Sequence, residues 1–192
     1  MRRLAFFLSC LALAGCPAYS DGDDGPPDHP TDGGPPDSRP DDGSCTDWQV
    51  GTLTGYNNSD SGDDPNSGSV MEFTGLNEEF YANVDMAAID FSDWGGDKYR
   101  WVDVDFQGTI GRVGVWDACR NEDCPDGRQC CTENKERFAQ PGYLVDVETR
   151  TAQRLWGVFD AENTLNDRIE YRVCGSFDPD EIADRYGVRR SQ

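Results

Sequence analysis

The sequence predicts a mainly-β domain over residues 45–192, built as a small barrel or sandwich of short strands with few helices. Apolar and polar residues alternate along 99–106 and again along 112–117, and the turn-forming pair Gln107 and Gly108 follows the first run. This pattern is typical of a β-hairpin. Shorter strands are predicted at 143–147 and 168–174, with further candidates at 51–56 and 79–84.

Two helices are predicted beside the strands. The first covers 148–156, where Ala152, Leu155 and Trp156 share one face and Gly157 ends the helix. The second covers 178–187, with Pro179 at its first position and a glycine past its end.

Residues 1–16 have the pattern of an export signal. Two arginines precede an apolar run over 4–14, which is too short to span a hydrocarbon core of about 30 Å as a helix. The run ends in Leu13-Ala14-Gly15-Cys16, which resembles the lipobox of bacterial lipoproteins. The resemblance implies that Cys16 is lipidated and that the chain is cut before it. An ordinary signal peptide cut near Ala18 is the alternative.

Residues 17–44 are predicted to be a disordered tether. They contain seven prolines, five glycines and eight aspartates, and such a segment cannot bury enough apolar surface to offset its ordering entropy. Because no ligand spacing repeats among the aspartates, a solvated spacer is favoured over a calcium site. The folded domain is therefore predicted to begin at residue 45.

Charge and histidine content exclude several classes of function. The chain has 17 Lys+Arg against 37 Asp+Glu, a net charge of −20, which would be repelled by nucleic acid and by an anionic membrane surface. The only histidine, His29, lies in the tether, so the domain cannot contain a Ser-His-Asp or Cys-His centre or a histidine zinc site. We expect a monomer without cofactor or metal, held at a membrane only by its lipid.

Six cysteines lie in the domain, and an even number in an exported protein predicts disulfides. They are Cys45, Cys119, Cys124, Cys130, Cys131 and Cys174. The first and the last flank the domain and are predicted to pair. Cys119 and Cys124 are each predicted to bond one of the two adjacent cysteines. Zinc bound by the four clustered thiols is the alternative, although their spacing does not match paired zinc knuckles.

From residue 51 to 174 the chain resembles the double-psi β-barrel of expansins and barwin-like proteins. Five elements in the family's order carry the resemblance: Gly51-Thr-Leu-Thr-Gly-Tyr56, residues 80–89, Val113-Gly-Val-Trp-Asp-Ala-Cys119, residues 144–155 and Ile169-Glu-Tyr-Arg-Val-Cys174. The resemblance implies a six-stranded double-psi β-barrel with short helices. An unrelated sandwich is the alternative fold.

In bacterial expansins a threonine on the first strand and two aspartates line the polysaccharide groove. The matching positions are Thr54, Asp117 and Asp146. Cys119 stands where the family has an aromatic hydroxyl, and the loop after it is enlarged, so the groove rim is expected to differ. The family's second domain, which carries a flat aromatic binding face, is expected to be absent. Trp94, in a predicted loop, is the candidate for stacking on sugar, whereas Trp116 is predicted to be in the core.

The two aspartates also suggest chemistry without the resemblance. Asp117 is at a strand end and Asp146 is within an apolar strand, where a carboxyl tends to have a raised pKa and can donate a proton or hold a sugar hydroxyl. The structural alternatives are that Asp117 caps loop backbone and that Asp146 caps the following helix.

The function predicted is binding or loosening of cell-wall polysaccharide without hydrolysis, by a lipid-anchored domain in the bacterial envelope, at the outer membrane or cell surface. Residues 45–192 carry a formal charge of −15, which favours neutral or amine-bearing chains. Glycan cleavage, as in related endoglucanases and the lytic transglycosylase rare lipoprotein A, is the alternative. Those enzymes rely on a first-strand base or a histidine that this domain lacks, which favours binding over cleavage. A third alternative is an inactive barrel used for protein contacts.

Overall fold

The computed structural model describes residues 45–57, 70–124 and 127–191. The predicted signal peptide, the lipidation site Cys16 and the tether lie outside these residues. No helix in the described part of the chain is long and apolar enough to cross a membrane.

Six strands close into a barrel. The described residues form the strands β1 Gln49–Tyr56, β2 Phe73–Thr74, β3 Met86–Asp90, β4 Arg100–Phe106, β5 Thr109–Cys119, β6 Leu144–Glu148, β7 Asn166–Ser176 and β8 Arg189–Arg190. The barrel order is β1-β6-β3-β5-β4-β7, and β2 and β8 form a separate two-stranded sheet.

The barrel combines parallel and antiparallel neighbours. Strands β1 and β6 are parallel, as are β3 and β5, and the other neighbours run antiparallel. The predicted fold class, a mainly-β chain with a six-stranded double-psi barrel, short helices and disulfides, is confirmed.

The predicted hairpin is the pair β4 and β5. Its two turn residues, Gln107 and Gly108, have φ of 53° and 82°. Positive φ at both central positions matches the right-handed twist of the flanking strands, which is why such turns close hairpins. The Asp105 carboxylate accepts a hydrogen bond from the Gly108 amide at 2.9 Å and fixes the turn.

Short helices pack around the barrel. In the described residues they are α1 Glu78–Asn83, α2 Phe91–Asp97, α3 Cys130–Lys135, α4 Thr149–Trp156, α5 Ala161–Thr164 and α6 Pro179–Arg185. Helices α4 and α6 are the two that the sequence predicts. Gly157 ends α4 in the left-handed conformation, and the Asp178 side chain caps α6 in front of Pro179.

Two local predictions are wrong. The strand candidate at 79–84 is helix α1, because the Asn77 side chain accepts a hydrogen bond from the Phe80 amide and two glutamates occupy the first turn. The strand comes just afterwards, as β3. The segment around Trp94 is not a loop but helix α2, capped by the Asp90 carboxylate.

Trp116 lies at the centre of an aromatic cluster and is fully buried, as predicted. The rings of Phe73, Phe80 and Tyr99 meet it edge-on, with the Phe80 centroid 5.2 Å away. These edge-to-face contacts join β2, α1 and Tyr99, the residue before β4, to the barrel strand β5.

All three predicted disulfides are present. Cys45 bonds Cys174 across 129 residues of sequence. The enlarged loop is closed by two bonds, Cys119–Cys131 and Cys124–Cys130. Because every described cysteine is in a disulfide, the zinc alternative, which needs four thiolates, does not hold.

Candidate functional site

A row of residues crosses four barrel strands and brings together three of the four predicted binding residues. Thr54 on β1 is the register partner of Asp146 on β6, and Asp146 and Asp117 are both partners of Ala88 on β3. Register partners point to the same face of a sheet, so these side chains share one face. With strands about 4.8 Å apart, the two aspartate Cα atoms lie about 10 Å apart.

Thr54 and Asp146 are directly hydrogen-bonded. The Thr54 hydroxyl donates to Asp146 Oδ1 at 2.7 Å, across 92 residues of sequence. The parallel pairing of β1 and β6 sets this contact, and Thr54 is buried. The pair is therefore held in place before any ligand arrives.

Asp146 is a carboxyl with a raised pKa. Burial raises its pKa to about 6, the negative charges of Asp117 and Glu162 add to the rise, and the hydrogen bond from Thr54 opposes it. Both the acid and the carboxylate form of this side chain are therefore populated at weakly acidic pH.

Asp117 has a backbone-holding role as well as a place in the row. Its Oδ1 accepts hydrogen bonds from the Met71 amide at 3.0 Å and from the Ala118 amide at 2.8 Å. The alternative that Asp117 caps loop backbone is therefore correct. The corresponding alternative for Asp146 is not, because the cap of α4 is Glu148, whose side chain accepts from the Arg150 and Thr151 amides.

Sequence reasoning missed two polar residues beside the row. Tyr56 follows Thr54 by two positions and Glu148 follows Asp146 by two, so the period-2 pattern of a strand places all four on one face. Burial and the charges of Asp117 and Asp146 raise the pKa of Tyr56 well above its ordinary value, and burial raises that of Glu148. Among the described residues, the Tyr56 hydroxyl and Glu148 Oε1 are buried without a hydrogen-bond partner. Following the alternation of side-chain direction two residues further along β1 and β6 would have identified Tyr56 and Glu148.

The structure does not support Trp94 as a sugar-stacking residue. Its side chain is 7% exposed, belongs to the main core and packs edge-on against Tyr99 at 5.7 Å. A stacking platform needs an open ring face, and the Trp94 ring has none to offer. The half-exposed aromatic of the same helix is Phe91.

The site therefore combines a closed six-stranded barrel with a hydrogen-bonded Thr–Asp pair and a second aspartate on the same face. No protein-family model and no curated relative matches the chain.

Among the solved structures that are similar to the chain are two of an expansin from Clavibacter michiganensis. One is the apo protein, at 17% sequence identity, and the other is a mutant in complex with cellohexaose, at 15% identity. In each comparison the TM-score is 0.35, and the match covers 69% of this chain and 52% of the expansin chain. The chain thus spans about half the length of the structures that it matches.

Proposed function

We propose that the barrel binds a neutral or amine-bearing cell-wall polysaccharide at the row formed by Thr54, Asp146 and Asp117, without cutting it. The observation that carries this proposal is the hydrogen-bonded Thr54–Asp146 pair on the same face as Asp117. A face that offers preorganised hydroxyl and carboxylate oxygens is suited to the hydroxyl groups of a sugar chain.

The chemistry of the row fits sugar recognition. Carboxylates accept hydrogen bonds from sugar hydroxyls, and each well-formed bond of this charge-assisted type contributes about 1.5–3 kcal/mol. The Thr54 hydroxyl donates its proton to the hydrogen bond with Asp146, and its oxygen can still accept a hydrogen bond from the ligand.

Charge favours neutral or amine-bearing chains over acidic ones. Residues 45–192 have a formal charge of −15, and the row itself contains two carboxyl groups. A uronic-acid polymer would meet repulsion both at long range and in the site.

The first strand supports binding over hydrolysis. Inverting hydrolysis needs an acid and a base carboxyl about 6.5–9.5 Å apart on either side of the scissile bond. Where related hydrolases place the base, β1 has Thr54, Gly55 and Tyr56 and no carboxylate. Oδ1 of Asp117 is already engaged by two backbone amides.

One observation favours cleavage as a second candidate function. A carboxyl with a pKa of about 6, next to a second carboxylate, is typical of a general acid in glycosidases. Release of reducing ends or anhydro-sugars from wall polysaccharide by the wild type, lost on Asp117→Asn, would establish the enzyme in place of the binding module.

Replacing Asp146 by asparagine is expected to weaken binding of a hexasaccharide about tenfold or more, because asparagine cannot supply the charged acceptor. The measurement is isothermal titration of the full chain with three probes: cellohexaose, N-acetylated chitohexaose and its deacetylated form. Asp47→Asn, at an exposed aspartate outside the row, is the control. Thr54→Val, which keeps the shape of the side chain, should weaken binding as well. Equal affinities of wild type and Asp146→Asn for the probe that binds would contradict the proposal.

In this proposal, residues 1–44 export the domain and tether it to a membrane. We propose that Cys16 is lipidated and that the tether holds the barrel away from a bacterial envelope membrane, with a reach of up to about 90 Å in polyproline form. Cys16→Ser should move the protein from the membrane fraction into the medium. Cys10→Ser, in the same apolar run, should leave it in the membrane fraction. Membrane retention of Cys16→Ser would contradict the anchor.

A further inference from the structure

A surface pocket of about 370 Å³ lies beside the proposed binding row. It is enclosed by the end of β3, the start of α2, the segment after β5 and helix α3. Its volume falls within the range of roughly 300–1,000 Å³ that is usual for small-molecule sites. We call it the rim pocket.

The rim pocket is in line with the row. Asp90 and Cys119, which both line it, are register partners two residues beyond the pair Ala88 and Asp117. Two residues along a strand cover about 6.8 Å and return to the same face. The pocket therefore opens about one hexose unit away from Asp117, on the face that carries the row.

One wall of the rim pocket is fixed by a satisfied polar network. The Asp90 carboxylate is 4% exposed and accepts hydrogen bonds from both the amide and the hydroxyl of Ser92. The Lys135 ammonium bonds the Ser92 hydroxyl at 2.9 Å and the Asp93 carboxylate at 2.8 Å. These groups bond one another, so they shape the pocket before a ligand arrives.

Two other residues that line the pocket, Phe91 and Arg120, can make further contacts with a ligand. Phe91 is 50% exposed, and the Arg120 guanidinium lies over its ring, 4.8 Å from the centroid. Among the described residues Arg120 has no carboxylate partner, and its Nη2 donates to the Met71 sulfur at 3.2 Å. A ligand that offers apolar C–H groups to the ring and an oxygen to the guanidinium would complete both contacts.

We propose that the rim pocket is a further subsite, which holds one neutral hexose unit of the chain bound at the row. The C–H face of the sugar packs on the exposed part of Phe91, and a ring or hydroxyl oxygen accepts from Arg120. Sugar hydroxyls can also donate to the carboxylates of Glu122 and Glu136, which line the pocket and would repel an acidic unit. This subsite rests on the proposed function of the row.

Sugar chains of different length test the subsite and the row separately. Phe91→Ala and Arg120→Gln are each expected to weaken binding of cellohexaose to the full chain about threefold to tenfold. Phe91→Ala removes the ring that contacts the sugar, and Arg120→Gln removes the charged hydrogen-bond donor. Cellobiose, held at the row alone, should bind wild type and both variants equally. Phe159→Ala removes a ring that is 74% exposed and outside the pocket, so it is the matched control and should bind cellohexaose like wild type.

The outcomes distinguish the two proposals. If Asp146→Asn weakens cellohexaose binding while Phe91→Ala and Arg120→Gln do not, the row stands and the subsite is overturned. If cellobiose loses as much affinity as cellohexaose in the two pocket variants, the pocket is not a separate subsite, and this too overturns it. If the wild type binds none of the three hexasaccharide probes, the proposed function and the subsite both fail.

Discussion

Replacing Cys45 and Cys174 together by serine is expected to lower the free energy of unfolding by about 4–5 kcal/mol. The bond joins residues 129 apart in sequence, so it encloses almost the whole domain. Without it the unfolded chain regains the conformational freedom of a very long loop. The native contacts beside it, such as the Thr46 amide donating to the Val173 carbonyl at 2.8 Å, are too few to compensate.

Denaturant unfolding of the oxidised protein and of the double variant measures this loss. The matched control is the double serine variant of Cys124 and Cys130, which are only 6 residues apart. By the same loop-closure relation, opening that bond should cost about 2 kcal/mol. Equal losses in the two double variants would contradict the assignment of the terminal disulfide as the main covalent constraint.

Asp103→Asn is expected to destabilise the barrel by about 3 kcal/mol, because it removes the anion shared by two partly buried arginines. Asp103 lies on β4 and is 2% exposed. Its carboxylate accepts from Arg112 at 2.5 and 2.9 Å and from Arg172 at 2.9 Å, which joins β4 to both neighbouring strands. Asp105→Asn, two residues along the same strand, is the control and should cost much less, since among the described residues Asp105 bonds only the turn amide of Gly108.

The same carboxylate makes stability depend on pH. Burial alone would raise the pKa of Asp103, but the hydrogen bonds and charges of Arg112 and Arg172 outweigh it and hold the pKa below its ordinary value. Since the unfolded chain then binds the proton more readily, the stabilisation is present above the unfolded pKa of about 3.9 and is lost as pH falls through the folded value. Unfolding measured between pH 2 and 7 should show a shallower acid loss in Asp103→Asn. An unchanged acid loss would contradict this role.

Local sequence patterns predicted the hairpin β4–β5, helices α4 and α6 and the disulfides. Each of these is marked in the sequence by turn-forming residues, by residues typical of helix ends or by cysteines. Gln107 and Gly108 can form the turn, Gly157 and Pro179 mark helix ends, and adjacent cysteines cannot both bond the same partner. Helix α1 was missed because aromatic and β-branched residues at 80–84 favour a strand. The Asn77 cap and the burial of Phe80 against Trp116 override that preference.

That Thr54, Asp117 and Asp146 lie in one row could be predicted only through the resemblance. Thr54 and Asp146 are 92 residues apart, and no local pattern states that β1 and β6 are parallel neighbours in this register. The prediction for Trp94 rested on its place in a predicted loop and not on the resemblance, and its burial depends on helix α2 packing against Tyr99. Phe91 escaped notice because an isolated phenylalanine is usually part of a core, and only the structure shows that its ring is half exposed beside a pocket.

The proposed function requires that a sugar chain hydrogen-bonds the Asp146 carboxylate, and the carboxyl carbon of Asp146 reports this directly. Carbon-13 NMR titration of the full chain should give a pKa of about 6 without ligand. With the tightest-binding hexasaccharide probe at saturation, the pKa should fall, because hydroxyl donors stabilise the charged form; by linkage, affinity should rise as pH increases through 6. A saccharide that binds and leaves the Asp146 pKa unchanged, or no binding by any of the three probes between pH 4 and 8, would contradict the claim.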